Sequence, residues 1–202
     1  MEKACQAVIR VSGTGEYEGL LQAFLFSPHG VESIQVIVDY LNNLGIKDDI
    51  LLNIACNEFE KIKDESIVPY PGVIHSIIRI HNAGIRIGGV TNASSVYAWS
   101  RIDHLGLREY FSVLSSPDLT GVRKPDPMIY LKAAVGIDCS PSQICVLGDN
   151  LVNDIAPAQI LGMMGVHARY GNRLPAEFSK GVIADMVIDS FAEIEDVLGI
   201  LQ

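Results

Sequence analysis

Two hydrophobic patterns divide this chain. Up to about residue 65, apolar positions recur at the spacing of a helix face. Ala4 to Val11 fits either a helix or a short strand, and Ser12-Gly13-Thr14-Gly15 breaks it. Glu16 to Phe26 reads as a helix with Leu20, Leu21, Phe24 and Leu25 on one face, and Ser27-Pro28-His29-Gly30 as a turn. Ile34, Ile37, Val38, Leu41 and Leu44 mark a further helix that Gly45 ends. Asp48 or Asp49 caps the next, which carries Leu51, Ile54, Ala55, Phe59 and Ile62.

At Pro69-Tyr70-Pro71-Gly72 the pattern changes, and helices begin to alternate with short β-rich runs. A helix over Val73–Asn82 leads to strand Ile85–Val90, then a helix over Ser94–Leu105 and strand Phe111–Leu114. Asp126 and Pro127 open a helix that ends at Gly136. Strand Ile144–Leu147, helix Val152–Leu161, strand Met164–Ala168 and strand Met186–Ile188 follow, and Phe191, Ile194, Val197, Leu198 and Leu201 mark a terminal amphipathic helix. Such alternation predicts an α/β fold with a mostly parallel sheet covered on both faces.

Composition narrows the partners. A net charge of -9 argues against general binding to nucleic acid or an anionic membrane, while leaving room for a small anion held by one local lysine. No apolar run reaches membrane-spanning length, and no signal-peptide pattern opens the sequence, so a cytoplasmic location is expected. Cys5, Cys56, Cys139 and Cys145 have no metal or redox spacing and read as free thiols. His29, His75, His81, His104 and His167 are scattered and are assigned to helix faces or loops, Trp99 to a helix face in the core, and Asp185 and Asp189 to solvent.

Candidate chemistry gathers where strands end, the place open α/β sheets reserve for ligands. Thr91-Asn92 follows one strand, where a hydroxyl and the amides of a helix start suit a phosphate. Lys124 stands before Pro125-Asp126-Pro127, in a loop stiff enough to aim its ammonium group. Gly148-Asp149 follows another strand, with Asp154 about one helical turn on; an acidic pair there suits a hard cation such as Mg²⁺ or caps a helix.

The order of these three features resembles the haloacid dehalogenase superfamily of aspartate-nucleophile hydrolases, in its branch with a small helical cap. Thr91 matches its second motif, Lys124 in Lys-Pro-x-Pro its third, and Gly148, Asp149 and Asp154 its fourth; Pro71-Gly72 and Tyr170-Gly171-Asn172 resemble its flanking loops. The resemblance implies a Rossmann-like core over residues 68–202 and a helical cap region over residues 1–67. It implies Mg²⁺-dependent hydrolysis of a small phosphorylated metabolite through an aspartyl-phosphate. Thr91 and the amide of Asn92 would hold phosphoryl oxygens, and Lys124 would stabilise the nucleophile and the developing charge. Asp149 would be a metal ligand, with Asp154 a second ligand or a partner that holds one in place. Dehalogenation of a 2-haloacid, which needs no metal, is the nearby alternative.

One motif is lacking. The family's nucleophile lies in Asp-x-Asp-x-Thr after an early apolar strand, and this chain has no Asp-x-Asp at any position. The preferred expectation is that the sequence starts downstream of that motif and lacks the first core strand. The competing one takes Ala7 to Thr14 as a degenerate first motif, with Arg10 and Ser12 at the two acid positions, which would make the chain a pseudoenzyme that binds an anion or a partner. In the first case two strand edges in the core lack a neighbour, unless Ala7–Val11 fills the gap.

Overall fold

The structure is a computed structural model that describes residues 1–26, 33–172, 179 and 181–200. The turn expected at Ser27 to Gly30, with His29, and the end of the terminal helix at Leu201 lie outside the described residues. Contacts divide the chain into two compact units, Met1–Val68 and Pro69–Gln202.

The first unit is all helical: α1 (Glu2–Ser12), α2 (Tyr17–Leu25), α3 (Gln35–Asn43) and α4 (Asp49–Glu65). Each helix contributes to one core that includes Cys5, Val8, Leu20, Phe24, Ile37, Leu41 and Phe59. Phe24 and Phe59 stack with ring centroids 5.0 Å apart. The segment that was ambiguous in sequence is helix α1, whose buried positions Ala4, Cys5, Ala7 and Val8 form a helical stripe packed on α4. Gly13 ends α1 in the left-handed conformation, and Asp48 caps α4 by accepting from the amides of Ile50 and Leu51.

This placement removes two expectations. Ala7–Val11 does not fill a gap in the sheet. Nor is Ala7–Thr14 a degenerate core strand, because Arg10 points to Glu58 on α4, and the Ser12 hydroxyl bonds to the carbonyls of Ile9 and Thr14.

The second unit alternates as expected: α5 (Val73–Asn82), β1 (Ile87–Val90), α6 (Ser95–His104), β2 (Phe111–Ser115), α7 (Pro117–Thr120), α8 (Met128–Gly136), β3 (Cys145–Gly148), α9 (Ala156–Ile160), β4 (Met164–Ala168), β5 (Met186–Ile188) and α10 (Ile194–Val197). All described strand pairs are parallel, in an α/β fold. The sheet is split, however. β1 pairs with β2, and separately β4 lies between β3 and β5. Two apolar clusters cover its faces. Ile129, Tyr130, Ala134 and Ala158 pack with Val90 and Val146 on one side; Ile80, Val166, Ile188 and Ile194 pack with Ile87, Cys145 and Leu147 on the other.

Two helices depart from the sequence pattern. The one expected over Val152–Leu161 begins as a π-helical turn, Leu151–Ile155. Pro157 has no N–H to donate to the carbonyl of Asn153, which accepts from the Tyr130 hydroxyl at 3.1 Å instead. The terminal helix is short, a 3₁₀ turn at Phe191–Glu193 followed by α10, and Gly199 takes a positive φ just beyond it.

Candidate functional site

The carboxyl ends of β1 and β3 are linked by three side chains: Asn92 just past β1, Lys124 from the loop between α7 and α8, and Asp154 from the turn after β3. Asn92, just past β1, grips the backbone of Lys124 at both ends: its Oδ1 accepts from the Lys124 amide at 2.8 Å and its Nδ2 donates to the Lys124 carbonyl at 3.2 Å. The Lys124 ammonium in turn lies 2.7 Å from Asp154. Lys124 is therefore aimed from its backbone outward, with 19% of its side chain exposed.

Asp154 is almost fully buried, at 4% exposure, and is held on every side. Oδ1 accepts from Lys124 and faces the Tyr130 hydroxyl at 3.2 Å, while Oδ2 accepts from the Asn150 amide at 3.1 Å. Gly148 is the reason it fits. A Cβ at that position would stand 2.3 Å from the Asp154 Cβ and 2.7 Å from its carboxyl group, so no side chain larger than hydrogen is accommodated. The Gly-Asp spacing that marks this stretch in sequence is thus a packing requirement: the chain returns over its own glycine. Asn150 caps the turn by accepting from the amides of Val152 and Asn153.

Asp149 differs from Asp154 in every respect. It is exposed, and no described hydrogen bond or ion pair engages its carboxylate. It sits against Gly171, where an added Cβ would come within 3.0 Å of the Asp149 Cβ. Its charge, after burial and the neighbouring Tyr70, helps push the Tyr170 phenol up to about 12.

The other expected contacts at the end of β1 are partly committed elsewhere. The Thr91 hydroxyl accepts from the Ala93 amide at 3.0 Å, and the Ser95 amide at the start of α6 donates to Asp118. The Thr91 hydroxyl proton and the Asn92 backbone amide have no acceptor among the described residues. Among the described residues no cluster of three or more His, Cys, Asp or Glu is arranged to hold a metal. The Asp149 carboxylate has no partner among the described residues, while that of Asp154 accepts from Lys124, Tyr130 and Asn150.

Tyr130 is the residue the sequence did not flag. Burial first, then the negative charge of Asp154, drive its phenol far above the usual range, so it stays a protonated donor. Its position on α8, six residues past Lys124, gave no signal, because an aromatic on a helix face reads as core.

One further assignment changes: His167 lies on β4, not on a helix or loop. Trp99 is covered by the Arg108 guanidinium, 3.6 Å from its ring centroid. Asp185 and Asp189 are exposed yet occupied: Asp185 accepts from the Gly165 amide and Gln159, and Asp189 pairs with Arg169. The four cysteines are free. No helix among the described residues is long and apolar enough to cross a membrane.

The profile of a family described as haloacid dehalogenase-like hydrolase matches residues 27–168. The chain belongs to this family. It is 30% identical over 149 residues to a glyceraldehyde 3-phosphate phosphatase of Methanopyrus kandleri, a match covering 73% of this chain and 64% of that protein. This chain therefore spans less than two thirds of that relative. Among solved structures, the HAD phosphatase from Thermococcus onnurineus superposes with a TM-score of 0.73 at 21% identity, over 98% of this chain and 87% of that one. A 2-haloacid dehalogenase from Pseudomonas syringae does so with 0.72 at 22%, over 98% and 89%. These two likenesses establish the fold and do not separate phosphatase from dehalogenase.

Proposed function

We propose that this chain carries the phosphoryl-binding and charge-stabilising part of a phosphatase for a small phosphorylated metabolite. The observation that carries this reading is the aimed ammonium of Lys124, strapped at its backbone by Asn92 and pinned at its tip by Asp154. A lysine held in this way does not have to reorganise when charge develops beside it, which is what stabilising a phosphoryl group requires. The Thr91 hydroxyl and the Asn92 amide supply two neutral donors for phosphoryl oxygens.

The local charge adds a condition. Lys124 pairs with Asp154, and Asp149 lies exposed just past β3, so these three side chains alone leave the site net negative. An anion then needs a cation beside it. Mg²⁺ fits, since it is held through one or two carboxylates together with waters and substrate phosphates. Asp149 is the ligand in this reading, and Asp154 positions Lys124. Bound there, the ion would offset phosphate charge. The alternative of a 2-haloacid dehalogenase leaves the exposed Asp149 without a role. The helical first unit is read as the cap that selects the substrate.

The 202 residues hold no Asp-x-Asp pair, and their first aspartate is Asp39, on α3 of the helical unit. On this reading the chain binds a phosphoryl group without turning it over unaided. Calorimetric titration with inorganic phosphate, with and without Mg²⁺, tests it alongside a p-nitrophenyl phosphate assay. Phosphate is expected to bind only with Mg²⁺, and more weakly in Lys124→Met and Asp149→Ala. Absence of binding under both conditions would remove the phosphoryl-site reading. Steady turnover abolished in Lys124→Met would show that a nucleophile is present after all.

A further inference from the structure

Asn92 aims Lys124 at its backbone, but an ammonium group has no direction of its own. It is a point charge with rotatable donors on a flexible stem. One donor goes to Asp154 Oδ1 at 2.7 Å, and among the described residues the group has no other hydrogen-bond partner. A carboxylate oxygen offers more than one lone pair to a donor. With both lone pairs of Oδ1 open, the ammonium would settle on either, and the tip of Lys124 would swing between them. One must be closed for that tip to hold one place.

Tyr130 closes it. Its hydroxyl lies 3.2 Å from the same oxygen, Asp154 Oδ1, and 3.1 Å from the Asn153 carbonyl. Both partners only accept, so one hydroxyl proton serves both, and the anionic oxygen is the stronger acceptor. The ring has no room to give way: Tyr130 is 3% exposed and packs with Ile129, Ala134, Ala158 and Met163. The carboxylate is fixed as well, because Oδ2 accepts from the Asn150 amide and the side chain lies over Gly148.

The chain itself brings the two donors together. Lys124 and Tyr130 lie on either side of the start of α8, where Asp126 accepts from the Met128 amide at 2.9 Å. The lysine and the group that confines it therefore approach Asp154 from one stretch of sequence. The π-helical turn holds the hydroxyl from the other side. Pro157 leaves the Asn153 carbonyl without its helical donor, and that carbonyl keeps the Tyr130 hydroxyl beside Asp154.

We propose that Tyr130 is a positioning residue for Lys124: its hydroxyl fills one lone pair of Asp154 Oδ1 and so confines the ammonium to the other. The confinement stands on this geometry. Its consequence, tighter binding of a phosphoryl group, rests on the reading of Lys124 given above.

The test uses the whole chain. Hydrogen-bonded lysine ammonium groups are observed by nitrogen-edited NMR, and Lys124→Met assigns the Lys124 signal. A distinct signal is expected in the parent and in Pro157→Ala, and its loss is expected in Tyr130→Phe. Pro157→Ala supplies an N–H to the Asn153 carbonyl, so the double variant Tyr130→Phe/Pro157→Ala isolates the arm to Asp154. It is expected to lack the signal too. With Mg²⁺ present, inorganic phosphate is expected to bind about fivefold more weakly to Tyr130→Phe and to the double variant than to the parent, the worth of one hydrogen bond. Urea unfolding checks that each variant is folded. Persistence of the Lys124 signal in Tyr130→Phe overturns the proposal, as does its absence from the parent. Return of the signal and of affinity in the double variant overturns it too, because the hydroxyl would then act only through the Asn153 carbonyl. Loss of the signal with unchanged phosphate affinity upholds the confinement and removes its consequence for binding. Failure of the parent to bind phosphate removes the phosphoryl-site reading, and the Lys124 signal still decides the role of Tyr130.

Discussion

The two units close their cores to different degrees. In the first, all four helices meet on one cluster, and Leu20, Phe24, Ile37, Leu41 and Phe59 are fully buried. In the second, helices cover two faces of a sheet whose halves stand apart around a cavity. A helix satisfies its own backbone, so a helical bundle closes on side chains alone. A strand does not, so a gap in a sheet strands both apolar surface and backbone groups. That is why the open part of this molecule lies in its β-containing unit.

Four substitutions sharpen or break this contrast. Phe59→Ala is expected to have the largest effect, destabilising by about 4 kcal/mol through loss of a buried, stacked ring. The change is expected in helical circular dichroism, while fluorescence of Trp99, the single tryptophan, reports the second unit unchanged. A matching shift in the Trp99 midpoint would mean the units unfold as one body, and the comparison would collapse. Asp154→Ala is the mirror experiment. It leaves Lys124 beside an empty space and is expected to lower the Trp99-detected stability by about 3 kcal/mol. A shift below about 1 kcal/mol would place the pair among ordinary surface ion pairs.

Tyr130→Phe probes the same centre more gently. Losing one hydroxyl shared between Asp154 and the Asn153 carbonyl is expected to lower stability by about 1 kcal/mol, read from the urea midpoint. Asp118 gives the smallest and most specific effect. Hydrogen bonds from Ser95, foremost its hydroxyl and then its backbone amide, lower the Asp118 carboxyl to about 2 from its ordinary 3.8. A depressed carboxyl stabilises fully above its unfolded pKa and loses that contribution as pH falls through its folded one. Stability is therefore expected to drop between about pH 4 and pH 2 in the parent chain, and the drop is expected to be smaller in Asp118→Asn. Parallel pH curves for the two proteins would remove the assignment.

Much of the fold was legible because its punctuation is chemical. Gly45 takes a positive φ at the helix end predicted for it, and Asp48 caps as its type suggests. The parallel strands Met164–Ala168 and Met186–Ile188 followed from short apolar runs between turn residues. Ala4–Val11 was not legible, since eight residues of mixed small and β-branched side chains satisfy either period; packing against α4 settled it. The π-helical turn escaped for a related reason, because the carbonyl that Pro157 leaves free is answered by Tyr130 from a distant helix.

By itself the sequence determined the family, through Thr91, Lys124 and Gly148–Asp154 in order, and it determined the absence of an Asp-x-Asp pair. Residue types at fixed spacing suffice for both, because they record local chemistry. Only the tertiary structure separated the two acids, freeing Asp149 and committing Asp154 to Lys124, Tyr130 and Asn150. Only it divided the sheet and left two strand edges around an apolar slot. Those outcomes depend on which groups from distant segments meet, and hydrogen bonds between loops and pairing between strands are not written in any local pattern.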